Sequence, residues 1–86
     1  MVMDLDMILR SVQREVEHAS KIFPPFHNAH EGYAVLLEEV DELWDAVKLN
    51  QHRHPERDKE ILHEAIHVAA MAVRLIMDCY RREGEL

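Results

Sequence analysis

Three glutamates in the middle of the chain, Glu38, Glu39 and Glu42, stand in the pattern E-E-x-x-E. On a helix, residues three and four apart are neighbours, so these carboxylates project together. At that distance they repel one another by a few tenths of a kcal/mol (roughly 0.2–0.5) even on an exposed helix. A hard divalent cation such as Mg²⁺ or Mn²⁺ turns the repulsion into coordination. The plain alternative is a solvated face on an acidic protein.

A second group lies further on. His63-Glu64-Ala65-Ile66-His67 reads as H-E-x-x-H, the helical spacing with which two imidazoles hold zinc beside a glutamate base. Zincins also need a third ligand and a strand edge for substrate, which the short stretch after His67 does not offer. The same residues form two Glu-x-x-His units, Glu60 with His63 and Glu64 with His67. Four-helix bundles build di-metal carboxylate sites on that spacing. Arg74 is the third feature, because it interrupts an apolar run. A buried guanidinium is costly unless paired, so a carboxylate or a bound phosphate is expected to face it. Tyr33 and Trp44, at helical spacing, read as core rather than as stacking platforms. His18, His27, His30, His52 and His54 read as surface or loop residues.

The elements that must carry these groups are helices. Leu5, Ile8, Leu9, Val12, Val16, Ala19 and Ile22 recur at steps of three and four, which predicts a helix from about Asp4 to Ile22. Asp4 or Asp6 is its N-cap, and Pro24 and Pro25 stop it. A second helix opens at Asn28, with Glu31 in capping-box position, and ends near Leu49. Its apolar stripe is Tyr33, Leu36, Leu37, Val40, Leu43, Trp44 and Val47. After a polar turn from Asn50 to His54, Pro55 is placed at the first position of a third helix. From Ala65 to Met77 only His67 and Arg74 are polar. A helix apolar on nearly all sides needs partners on more than one face, and two short helices cannot supply them. The third helix is therefore expected at the centre of a subunit interface.

Composition agrees. Apolar residues make up 48% of the 86, aromatics 6%, and there are only 2 glycines, which suits helices and not sandwiches or barrels. The expected fold is all-α, a single domain over residues 1–86. Three helices per chain would complete a four-helix-bundle-like core by oligomerisation. A core this small contributes roughly 3–5 kcal/mol and needs supplementing. Cys79 is the only cysteine, so neither an intrachain disulfide nor a zinc module on cysteine pairs can do so. Oligomerisation, or a metal held by His and carboxylate, remains. Seventeen acidic against 10 basic residues give a charge of −7, which disfavours nucleic-acid backbones. A phosphate substrate stays compatible, because a metal ion can mediate between it and carboxylates. No basic segment precedes an apolar run and no stretch reaches a membrane-spanning length, so neither signal peptide nor membrane span is expected. The free thiol then points to the cytoplasm.

The run from His30 to Trp44, H-E-G-Y-A-V-L-L-E-E-V-D-E-L-W, resembles the first motif of the MazG-like nucleotide pyrophosphohydrolases, the all-α NTP pyrophosphatases. Their second motif, E-x-x-D, aligns with Glu64-Ala65-Ile66-His67, where His67 stands in place of the acid. The likeness runs roughly over residues 23–78. It implies a helical homodimer or homotetramer built on a four-helix core. It also implies Mg²⁺-dependent hydrolysis of nucleoside triphosphates between the α and β phosphates, giving a monophosphate and pyrophosphate. Carried over, Glu39, Glu42 and Glu64 are metal ligands with His67 at the place of the fourth. Glu38 ligates or positions the attacking water, and Lys48, Arg53 and Arg74 are the basic groups nearest to hand for the outer phosphates. The departure at His67 implies a changed metal preference (Mn²⁺ for Mg²⁺), a ligand recruited elsewhere, such as Asp78, or lost catalysis. Two other readings stand beside this one: a di-metal carboxylate and histidine bundle protein, and a non-catalytic oligomeric module with the same fold.

Overall fold

The computed structural model describes residues 3–80, and among them every regular element is a helix: α1 Leu5–Ile22, α2 Ala29–Val47 and α3 Arg57–Tyr80. The Asp4 carboxylate caps α1 by accepting the Met7 N–H at 2.9 Å, and the Phe23 N–H closes it on the Ala19 carbonyl at 2.8 Å. Asn28 caps α2 through the Glu31 N–H at 2.9 Å, and the Glu31 carboxylate reaches back to the His27 N–H at 2.8 Å. The reciprocal bond of the capping box thus falls one residue earlier than the pattern places it.

Two boundaries differ from the sequence expectation. The helical run of α2 ends at Val47 rather than near Leu49, because the Leu49 N–H takes the Ala46 carbonyl and tightens the last turn. The Val47 carbonyl is claimed instead by Arg57, whose Nε and Nη2 donate to it at 3.1 and 2.8 Å. Pro55 is not the first residue of α3. It occupies the turn in which the Arg57 N–H bonds to the His54 carbonyl at 3.0 Å, where the fixed φ of proline suits the second position. The α-type ladder begins with the Glu60 N–H on the Glu56 carbonyl at 3.1 Å.

Helix α3 lies between the other two. It packs along α2 on one side and against α1 on the other, while α1 and α2 barely meet. The core comprises Val12, Val16 and Ala19 of α1, Phe26 of the linker, and Ala70 and Met71 of α3, with Val35, Leu36, Ile66 and Leu75 around it. Gly32 lets α2 approach closely, since a Cβ there would collide with Leu75 and crowd Phe26 at 3.1 Å. The linker is held from α3: the Asp78 carboxylate accepts the Phe26 N–H at 3.0 Å, and Arg74 Nη2 donates to the Pro24 carbonyl at 3.1 Å.

The predicted apolar stripe of α2 divides between two environments. Leu36, Leu43 and Val47 are half-buried, whereas Tyr33, Leu37, Val40 and Trp44 face solvent. Tyr33 and Trp44 are 61% and 59% exposed, so the core role expected of them is not met within one chain. Helix α3 likewise exposes Leu62, Val73, Ile76, Met77 and Tyr80. The reason is geometric: α3 has two neighbours, and neither covers these positions. No helix among the described residues is long and apolar enough to cross a membrane.

Candidate metal centre

Glu39 on α2 and Glu64 and His67 on α3 converge where the two helices pack. Each offers one ligand atom, and these atoms lie within 4.8 Å of one another. Glu64 and His67 are three apart and share a face of α3. Glu39 faces them because it follows Val35 and Leu36 by about one turn, on the side of α2 turned to α3. His67 stands between two carboxylates: its Nδ1 is 3.6 Å from Glu39 Oε2 and its Nε2 is 3.6 Å from Glu15 Oε2. The His63 ring lies tilted against it with centroids 4.2 Å apart.

Two carboxylate oxygens, Glu39 Oε2 and Glu64 Oε2, are buried without a hydrogen-bond donor. Leaving such a group unsatisfied costs about 1–3 kcal/mol, more when it is charged. The strain appears in their protonation. Burial, then the proximity of Glu42, holds the Glu39 carboxyl above its usual range, against a smaller opposing pull from His67. Burial and Glu42 raise Glu64 in the same way, with His67 and His63 opposing. A divalent cation would satisfy both oxygens and reverse the penalty. Two carboxylates and an imidazole form a donor set suited to Mn²⁺ or Zn²⁺ as well as to a partly hydrated Mg²⁺. The residues fit a metal.

The other sequence candidates fall at varying distances from this cluster. Glu42 is solvent-exposed at its edge and acts on both Glu39 and Glu64. Glu38 lines a cavity of about 600 Å³ together with Glu39, Glu15, His67, Phe26 and Arg74. Arg74 is 3% exposed, and no carboxylate pairs with it among the described residues. Its neighbours are the Pro24 carbonyl, the Met71 sulfur at 3.8 Å and the Phe26 ring, 4.7 Å from the guanidinium carbon to the centroid. Lys48 pairs with Asp45 at 3.0 Å on the surface, and Arg53 sits in the 50–54 turn, its N–H on Asn50 at 3.2 Å. Neither lines the cavity. Asp78 is engaged with the Phe26 N–H and is not in the cluster. Neither is His63, the first residue of H-E-x-x-H, nor Glu60 of the di-metal spacing.

One residue of the centre went unmarked in the sequence. Glu15 comes from α1, the helix that carries no motif, yet its side chain is only 23% exposed and faces His67. The available signal was its position between Val12 and Val16, at the border of the apolar stripe. A carboxylate there needs a partner.

No family model, curated protein or solved structure matches this chain.

Proposed function

We propose that the chain is a metal-dependent hydrolase of nucleoside triphosphates, releasing a monophosphate and pyrophosphate. The observation that carries this reading is the pair of buried, donorless carboxylate oxygens of Glu39 and Glu64, which converge with His67 beside an open cavity that Glu39 and His67 line. Its second support is the E-E-x-x-E and E-x-x-H pair of motifs, with their resemblance to MazG-like enzymes.

Glu39, Glu64 and His67 would hold the ion, with Glu42 at its open side. A bound divalent cation supplies neutralisation of phosphate charge and lowers the pKa of a coordinated water. The chain's own residues provide the rest. Glu38, exposed at the cavity wall, orients or deprotonates the attacking water. Ile22, Phe23 and Pro24 form an apolar border to the cavity.

The test is pyrophosphate release from a panel of ribo- and deoxyribonucleoside triphosphates with Mg²⁺ or Mn²⁺. Hydrolysis that is lost in Glu38→Gln, with metal binding kept, supports the assignment. Stoichiometric tight iron or zinc without hydrolysis of any triphosphate would favour the di-metal bundle reading instead.

A further inference from the structure

We propose that Glu15 is the positioning residue that makes His67 a metal ligand, forming a carboxylate–imidazole–metal relay across α1, α3 and α2. This rests on the metal reading of the Glu39, Glu64 and His67 cluster and goes beyond it, because α1 carries no part of either motif.

The geometry is directional. The two ring nitrogens of His67 point to different carboxylates, Nδ1 toward Glu39 and Nε2 toward Glu15, each at 3.6 Å. Glu39 belongs to the cluster of converging ligand atoms and Glu15 does not. A neutral imidazole carries a single N–H. With a metal taking Nδ1 on the Glu39 side, the single N–H would sit on Nε2 facing Glu15, whose carboxylate then holds the ring in that orientation. Glu15 has no other ion-pair partner among the described residues, and it is half-buried on the face of α1 that packs against α3. Burying part of a carboxylate costs free energy unless it is paired. His67 is what pairs it.

The relay also defines the ion. The site lacks the negative charge that an aspartate at position 67 would bring, and it presents nitrogen. Mn²⁺ and Zn²⁺ accept imidazole, whereas Mg²⁺ prefers oxygen. Glu15 and His67 therefore act as one unit that shifts the site toward transition metals. The unit predicts coupling between residues on two helices.

The experiment uses the full chain without nucleotide and measures Mn²⁺ affinity by calorimetry and ¹⁴N coupling to bound Mn²⁺ by electron spin echo. In the parent protein, bound Mn²⁺ shows imidazole coupling that disappears in His67→Asp. Glu15→Gln weakens Mn²⁺ about 10–100-fold, the usual effect of losing such an outer partner. Glu15→Asp, which retracts the carboxylate by one methylene, weakens it several-fold and serves where the glutamine variant does not fold. In the His67→Asp background there is no ring for Glu15 to hold, so Glu15→Gln weakens Mn²⁺ only slightly, through the loss of one nearby negative charge. A purely structural Glu15 would lower stability alike in both backgrounds and leave the coupling unmoved, which overturns the proposal. Mn²⁺ bound without nitrogen coupling overturns it too, while leaving the metal site standing. No Mn²⁺ binding at millimolar concentration overturns both.

Discussion

At the scale of single residues, the centre is a place where like charges are held together at a cost. Glu39 and Glu64 have raised carboxyl pKa values, with burial the main cause and Glu42 the next. For a group raised on folding, the stabilising contribution is fully present below the unfolded value of 4.5 and is lost as the pH rises through the folded value. Metal-free protein should therefore lose this contribution on going from pH 4 toward neutrality, and added Mn²⁺ should restore it. Glu42→Gln removes a repelling charge. It should raise metal-free stability by a few tenths of a kcal/mol (~0.2–0.5) while weakening metal binding, as read by urea melts in chelator and by calorimetry. If it instead lowers metal-free stability by more than ~1 kcal/mol, the worth of a typical hydrogen bond, the acidic face is a structural network. His67→Asp adds a fourth acid and should move metal preference from Mn²⁺ toward Mg²⁺, measured by competition.

At the scale of elements, α3 dominates. Among the described helices it alone packs against two others, and it still exposes Val73, Ile76 and Met77. Tyr33, Leu37, Val40 and Trp44 on α2 present a second uncovered stripe at helical spacing. We expect both to be covered by further copies of the chain. Sedimentation equilibrium at micromolar concentration should give a dimer or tetramer, and Val73→Glu should dissociate or unfold it. A folded monomer would remove the interface. The α2–α3 contact makes a separate prediction. Gly32→Val forces a branched side chain against Leu75 and Phe26 and should cost about 1–3 kcal/mol in denaturant midpoint experiments. The same substitution at exposed Ala34 should have a small effect, within about 0.5 kcal/mol.

At the scale of the whole molecule, the chain is open. Its radius of gyration is 14.4 Å, against about 12 Å for a compact domain of this length. Among the described residues no large side chain is completely buried. A molecule with so slight a core would gain stability from association and from a bound metal. Binding to the folded state alone stabilises by RT ln(1 + [L]/Kd), about 2.7 kcal/mol at a hundredfold excess over Kd. Mn²⁺ should therefore raise Tm markedly, and at fixed metal Tm should also climb with protein concentration. A Tm independent of both would mean that the single chain is sufficient.

The sequence by itself determined three helices, the cap at Asn28 and the acidic pattern of α2, and it narrowed the first cap to Asp4 or Asp6, of which the structure uses Asp4. Each of these depends on residues within a turn or two of one another: side-chain periodicity, a capping carboxylate, a proline stop. It also marked Arg74 as a residue needing a partner, though it named a carboxylate or phosphate where the structure supplies the Pro24 carbonyl and the Phe26 ring. Only the tertiary structure decided which acids meet. Glu39, Glu64 and His67 come together because α2 and α3 pack closely on the side that carries them, and Glu15 joins because α1 lies across α3. Spacing along one helix fixes neighbours on that helix. It carries no information about the residue that a different helix brings within 3.6 Å, because packing between distant segments sets that distance.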